Sequence, residues 1–528
     1  MPAASSCAGQ NHFACRCATM RHDPLPAHSA MIERELKLYV PAAARVAVAR
    51  ALQESQARQI TLHARYYDTA TRELADAGIA LRLRKEGPDW VQTLKTQGAD
   101  ALSRTELNAP RPGPTLNTAL YDGTPLAAVF TQLKEPLALR YETLITRTTL
   151  TLEHFDATIE IAYDTGVITS GEHSLPVSEI EFELVTGHVE ALFDVGAQWL
   201  QRFGLVLDLR SKAERGDTLA SGALPEQLCR PRRARIIVFE SSSSIDSAYL
   251  ACANESLAQI IQNTAYAAGT DTASASRLVR AEYVHQLRVG IRRLRSCWKL
   301  FNRWVPDADA TDRATLRESF TIFGSSRDRD VIRLEVEPQI KKAGMPRYRR
   351  PRERAASRAQ PEAVAGGIPL QMALLGLLKH LVLLNERAAS EVPPVPLSSS
   401  AARAAIVHRL NTWLKKITKA GSRFEQLPVE TQHDLRKQAK SLRYGLDFSE
   451  CLLPRAELEP LRTTLTQIQK SLGDLNDYYC AEEYYLALTG SQPQVWFAIG
   501  WLRAGQDRQK SQAQTLFRQL AKHGFLKG

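Results

Sequence analysis

The stretch "MIERELKLYV" (residues 31–40) decides how the first part of this chain is read. With a period of two, Glu33, Glu35 and Lys37 share one side of a strand, and Ile32, Arg34, Leu36 and Leu38 share the other. Two carboxylates and an ammonium in a row on one face suit a half-exposed strand with its charges in water. They also suit a strand whose charged side lines an internal cavity.

Further strands repeat the pattern. Arg82 and Arg84 alternate with Leu81 and Leu83, and Glu179, Glu181 and Glu183 alternate with Ile180, Phe182 and Leu184. Arg104 and Glu106 share a face, as do Glu160 and Asp164, and Lys95 follows Thr93 in the same register. From Ile32 to about residue 220 the alternating segments are separated by Gly, Asp and Pro, which predicts an antiparallel barrel or sandwich. Helices are expected over 41–55 and 188–204. An ordinary barrel would turn its apolar faces inward and carry this mixed charge outside. The inverted arrangement has more chemical logic: lysines and arginines hold phosphate groups, and carboxylates hold hard divalent cations. Phosphoryl transfer requires both.

At 528 residues, two or three domains are expected. The apolar content of 44% and charged content of 24% are those of a globular protein, and the net charge of +11 favours polyanionic partners. The most apolar run, "IPLQMALLGLLKHLVLLNERA", is interrupted by Gln371, Lys379 and His380, so it reads as a buried helix and no membrane partner is expected. Residues 1–30 lack an apolar signal core, and their Cys7, Cys15 and Cys17 match no zinc spacing. That segment reads as a disordered extension ahead of Met31. The remaining cysteines are scattered, as expected of reduced thiols in the cytoplasm.

A linker is expected at 221–240, and from 241 onward the period becomes helical. The basic "KKAGMPRYRRPRERAASR" (341–358) reads as a solvated loop, and "EVPPVPLSSS" (391–400) as a break between two repeats at about 241–390 and 400–525. The repeats are written in "VHQLRVGIRRLRSCWKLF" (284–301) and "QHDLRKQAKSLRYGLDFS" (432–449). From His285, basic residues follow at +3, +7 and +10 as Arg288, Arg292 and Arg295; from His433 the same offsets carry Arg436, Lys440 and Arg443. At ~100° per residue these positions fall in an arc of roughly 80°. Leu287, Leu294 and Trp298, matched by Leu435, Leu442 and Leu446, lie on the neighbouring face. Identical spacing in two places implies duplication. The turns "FGSSRDRDV" (323–331) and "LGDLNDYYC" (472–480) echo it, with Asn476 standing where the first repeat has Arg327.

The first region resembles the CYTH superfamily, the triphosphate tunnel metalloenzymes. "ERELKL" looks like its ExExK signature, and "YYDTATRELADAGIALRLRKEG", "AYDTGVI", "SEIEFELVTG" and "SKAERG" follow in the family's order. The resemblance implies an eight-stranded antiparallel tunnel with flanking helices that binds a triphosphate end-on with Mg2+ or Mn2+. It implies metal ligation by Glu33, Glu35, Asp164, Glu181 and Glu183, and triphosphate contacts by Lys37, Arg82, Arg84, Lys95, Arg147 and Lys212. Catalysis would rest on Glu33, Glu35 and Lys37. The helical region resembles the CHAD domain, an all-α duplicated bundle. That resemblance implies inorganic polyphosphate binding by His285, Arg288, Arg292, Arg295, Lys299, His433, Arg436, Lys440 and Arg443.

The expected whole is an α+β protein, a tunnel domain at 31–220 followed by a helical domain at 241–528. Its expected function is metal-dependent hydrolysis of inorganic triphosphate or a nucleoside triphosphate, in the cytoplasm and at polyphosphate granules. Two alternatives use the same residues: a polyphosphate binder without catalysis, and an adenylate cyclase. Nucleic acid fits less well, because the helical region lacks the aromatic interleaving of single-strand binders.

Overall fold

The computed structural model describes residues 31–98, 100–124, 126–222, 229–237, 244–351, 360–390 and 399–527, with the side chains of 325–328, 330, 389–390, 399 and 402 excepted. The expected extension at 1–30 lies outside the described residues. So do much of the 221–240 linker, most of 391–400, the second half of the basic stretch and the side chain of Arg327. The described residues form two compact units, one from residues 31–205 and 210–222 and the other from residues 206–209 and the described residues from 229 onward.

In the first unit the alternating segments become β1 (Met31–Tyr39), β2 (Arg58–Asp68), β3 (Ile79–Glu86), β4 (Asp89–Gln97), β5 (Ser103–Arg111), β6 (Ala138–His154), β7 (Ala157–Ser170) and β8 (His173–Thr186). They pair antiparallel in the order β5-β4-β3-β2-β6-β7-β8-β1, and β1 also pairs with β5. This closes the ring, so no strand edge is left to template aggregation. The helices are α1 (Arg45–Glu54), α2 (Glu73–Asp76), α3 (Ala127–Thr131), α4 (Val189–Phe203) and α5 (Lys212–Ala220).

The barrel is inverted. Leu36, Leu38, Leu81, Leu83, Leu94, Ile159, Ile161, Ile180 and Phe182, on the faces opposite the charges, are at most 1% exposed. Helices and loops outside the ring cover them. The amphipathic α4 lays Trp199 edge-on to Phe182, with ring centroids 6.0 Å apart, and brings Gly196 against the Leu36 side chain. The connection between β5 and β6 packs Tyr121, Leu126, Val129 and Phe130 over Leu81 and Leu94. Each leucine so covered contributes about 1.5–3 kcal/mol. With the apolar faces satisfied outside, the charged faces turn inward.

The second unit consists of α6 (Ile245–Ala267), α7 (Arg277–Phe301), α8 (Ala310–Val331), α9 (Glu337–Lys342), α10 (Pro361–Ala365), α11 (Ile368–Ser390), α12 (Ser399–Gly421), α13 (Val429–Phe448), α14 (Arg455–Leu486) and α15 (Trp496–Lys522). Ser244 and Ser276 cap α6 and α7 by accepting the N–H groups of Ser247 and Val279. The two histidine-headed helices, α7 and α13, pack against each other. Leu287, Leu294, Leu435, Leu442 and Leu446 are buried and Trp298 is half-buried, as their shared face requires.

By length and composition α11 could cross a membrane, and half of its apolar window is buried inside the unit, against α6 and α8. Its Gln371 is satisfied there: the side chain accepts the Leu207 N–H at 2.8 Å and donates to the Ala365 carbonyl at 2.6 Å. The basic stretch departs from a solvated loop in its first half. Met345 and Tyr348 pack on the α14–α15 core, and Gln492 makes two hydrogen bonds with the Arg349 backbone, at 2.6 and 2.7 Å.

Inversion has a direct consequence for stability. Leu36→Ala opens a cavity under α4 and Gly196→Val drives a side chain into Leu36, so each should destabilise the barrel by about 2–4 kcal/mol. Urea unfolding followed by circular dichroism checks this. Near-neutral effects at both sites would mean that α4 does not seat on β1.

Candidate active site and basic cleft

Strand registers determine which charges meet. Across β1–β8, Glu35 faces Glu183 and Lys37 faces Glu181; across β7–β8, Glu160 faces Glu183 and Asp164 faces Glu179. Across β6–β7, Arg147 faces Asp164, and across β4–β5, Lys95 faces Glu106. Arg82 and Arg84 enter from β3 on the same inner face as Thr93 and Lys95 of the neighbouring β4. All the acidic and basic side chains expected in the tunnel from β1, β3, β4, β6, β7 and β8 therefore point into one barrel. Lys212 joins them from the first turn of α5, which a reciprocal Ser211–Glu214 cap starts at that point.

One end of the cavity is a closed ion-pair network. Lys212 reaches Asp164, Glu179 and Glu181 at 2.6, 2.5 and 2.8 Å. Arg147 makes a bidentate contact with Asp164 at 2.7 and 2.6 Å and also reaches Glu181 at 2.6 Å. Lys37 lies 3.0 Å from both Glu35 and Glu181. Arg215, one turn beyond Lys212, binds Glu179 at 2.9 Å and donates to the Pro176 carbonyl. Burial alone would push the carboxyls of Glu181 and Asp164 up. Lys212, Lys37 and Arg147 outweigh it for Glu181, and Lys212 and Arg147 do so for Asp164, so both stay below the usual carboxylate range. The same contacts raise Lys37 and Lys212 against their own burial. Arg140 reaches the Ala220 carbonyl of α5 instead, which leaves Arg147 as the tunnel arginine of β6.

Elsewhere in the cavity like charges meet. Burial, then Glu33, Glu160 and Glu35, push the Glu183 carboxyl up to about 7. Burial, then Arg82, bring Arg84 down to about 10 and Lys95 down to about 8. Lys95 still contacts Glu106 and lies 3.6 Å from Glu33, and Arg84 pairs with Glu86. The buried Nε of Arg82 has no hydrogen-bond partner. A crowded carboxylate, Glu183, therefore shares a barrel with crowded cations, Arg82, Arg84 and Lys95. Glu35 belongs to both zones: burial and Glu181 push it up, but Lys37, Lys95 and Lys212 hold it below its usual value.

Asp164, Glu179 and Glu181 also bring one oxygen each within 4.8 Å of the others, a spacing suited to a metal ion. Their charge is already balanced by Lys37, Lys212, Arg147 and Arg215. Among the described residues no ion pair reaches Glu160 or Glu183, while Glu35 and Glu33 beside them have Lys37 and Lys95, and hard divalent cations bind carboxylate oxygens of this kind.

In the helical unit, the α7 stripe rests on Phe320 of α8. The guanidinium carbons of Arg288, Arg295 and Arg292 lie 4.3, 5.8 and 6.0 Å from its ring centre, and Arg288 donates to the Phe320 carbonyl at 2.8 Å. On α13, Arg436 donates to Asn476 at 3.3 Å, and Arg443 binds Gln469 at 2.8 Å and Asp447 at 3.1 Å. The stripes converge: burial, then Arg292 and Arg436, hold the Lys440 ammonium well below its usual value. Burial, then Lys437 and Arg436, lower His433, while His285 is half-buried one turn before Arg288. Lys299 is exposed near the C-terminal end of α7.

Several participants fall outside the expected set. Glu160 and Glu179 sit on the inner strand faces, where the period of two places them. Arg215 and, around Lys299, Arg317, Arg409 and Lys416 come from helices whose docking no local pattern announces.

Two family descriptions match the chain: CYTH domain over residues 31–216 and CHAD domain over residues 265–485. A Haemophilus influenzae inorganic triphosphatase is 35% identical over 162 residues, which cover 30% of this chain and 45% of that protein. The match thus spans less than half of the relative's length. The crystal structure of the CHAD domain of Ricinus communis aligns at 23% identity over 55% of this chain and 96% of its own, with a TM-score of 0.42. A Hippeastrum protein described by a dominant triphosphatase activity aligns at 18% identity over 37% of this chain and 97% of its own, with a TM-score of 0.28. With a closed inverted barrel ahead of a helical unit that repeats its basic stripe, the chain belongs to these two families in tandem: a CYTH domain followed by a CHAD domain.

Proposed function

We propose that the barrel hydrolyses inorganic triphosphate with the help of a divalent cation, and that the helical domain binds inorganic polyphosphate. The observation that carries the first part is that one buried cavity sets Glu183 opposite two other carboxylates, Glu35 and Glu160, and crowds Arg84 and Lys95 around an Arg82 whose buried Nε–H has no acceptor. A metal–triphosphate complex neutralises both at once.

Arg82, Arg84 and Lys95 hold phosphoryl oxygens, and the orphan Nε–H of Arg82 gains an acceptor. Glu33, Glu35 and Glu183, with Glu160 beside them, hold Mg2+ or Mn2+. The bound metal supplies Lewis-acid polarisation of the phosphates and lowers the pKa of a bound water. Lys37, Arg147 and Lys212 stand at fixed positions at the network end of the cavity, where the terminal phosphates of an end-on substrate lie. Their charge is in place before substrate arrives, so little reorganisation is needed as negative charge builds on the transferred group. The sequence match to an inorganic triphosphatase supports the reaction class.

The second part rests on the convergence of Arg288, Arg292, Arg436 and Lys440 between α7 and α13. Phe320, Asn476 and Gln469 support the stripes without adding charge, and a flexible polyanion can follow them. Cys229, Cys252, Cys297, Cys451 and Cys480 are reduced, which fits a cytoplasmic setting in which this domain localises the protein at polyphosphate granules.

Phosphate release from triphosphate should require Mg2+ or Mn2+. Glu35→Ala should lower kcat by at least about 100-fold, and Arg82→Ala should act mainly by raising KM. Absence of turnover by the wild type with either metal would leave the barrel as a binding module, and conversion of ATP to a cyclic product would make it a cyclase. For the helical domain, Arg288→Ala combined with Arg436→Ala should weaken polyphosphate retention by at least about tenfold at moderate salt. Unchanged retention would remove the cleft from the reading.

A further inference from the structure

The two basic stripes differ at their far ends. Fourteen residues after each histidine, on the same arc, α7 carries Lys299 and α13 carries Asp447. Asp447 ends the second stripe in a local ion-pair set, with Arg443 at 3.1 Å, Arg462 at 3.4 Å and Arg293 at 4.0 Å. A phosphate chain running that way would meet a carboxylate and arginines already engaged by it.

The first stripe continues into more positive charge. Arg409 of α12 donates to the Lys299 carbonyl at 2.5 Å and to Asn302 at 2.8 Å, which brings the basic face of α12 to the end of α7. Lys416 lies two turns further along α12, and Arg317 of α8 stands beside Arg295. After burial, Arg295, Lys416 and Arg409 are what lower Lys299, and Arg317 is what lowers Arg295. Among the described residues, no ion pair joins Arg295, Lys299, Arg317, Arg409 or Lys416 to a carboxylate, whereas Arg443 and Arg462 at the matching end of the other repeat both have one.

We propose that a phosphate chain held between α7 and α13 leaves the cleft in one direction only, along α7 over Arg295 and Lys299 onto Arg317, Arg409 and Lys416, with Asp447 closing the opposite direction. This rests on the polyphosphate reading above. From Arg288 to Lys299 the track follows α7 for about 16 Å before it reaches α12. The duplicated domain thus has a polarity that its sequence repeat hides.

The test measures long-chain polyphosphate binding to the full-length protein in EDTA, across a range of salt. Lys299→Ala with Lys416→Ala should weaken binding about tenfold and reduce the slope of log affinity against log salt by about two. Lys437→Ala with Lys470→Ala removes the same charge beside α13 and should change affinity by less than about twofold. All four positions are exposed, and thermal melts of both variants verify folding. Equal weakening by the two pairs would show nonspecific charge attraction and overturn the track. An unaffected Lys299/Lys416 variant, alongside loss of binding in Arg288→Ala with Arg436→Ala, would overturn the track and leave the cleft standing. A wild type that binds no polyphosphate would overturn both.

Discussion

Charge enclosed in a barrel is the constraint on which the first unit depends. Moving an ion out of water costs several kcal/mol unless partners replace its hydration. The network around Asp164, Glu179 and Glu181 meets that demand with Lys37, Arg147, Lys212 and Arg215. Such a network specifies geometry more than it adds stability. Each of its members holds another in place, and Lys212 and Arg215 tie α5 to β7 and β8 while doing so. Arg72 adds a second tie to α5, through a bidentate contact with Asp217 at 3.0 and 2.6 Å.

Against this balanced end, the mismatch around Glu183 and Arg84 is informative. The registers set Glu183 opposite both Glu35 and Glu160, with Glu33 also acting on it. The fold likewise crowds Lys95 and Arg84 around Arg82. Rigid ion pairs at one end and crowded like charge at the other give the tunnel a direction.

The inside–outside division was legible in the sequence because a strand's period is local: Leu36 and Lys37 are neighbours and must face opposite ways. The histidine-headed stripes were legible for the same reason on helices. Which inward charges neutralise one another was not, because it depends on register between strands far apart in the chain, as with Arg147 opposite Asp164 and Lys37 opposite Glu181. Arg215, Arg409 and Lys416 escaped because their positions follow from how whole helices dock. The basic stretch after Lys341 misled for a related reason. Its composition suits solvent, yet Tyr348 stacks edge-on to Tyr485 at 5.7 Å, and Gln492, more than 140 residues on, fixes its backbone.

The two domains hold their cations in place by different means. In the barrel, Lys37, Arg147 and Lys212 are supported by carboxylates. In the helical domain neutral groups, the ring and carbonyl of Phe320 and the amides of Asn476 and Gln469, share that task with the carboxylates of Asp447 and Asp477. A neutral support orients a guanidinium without competing with the ligand for its charge. Asp447 stands where the second stripe stops. The exchange of lysine for aspartate at equivalent positions of a duplicated helix breaks the symmetry of the two stripes.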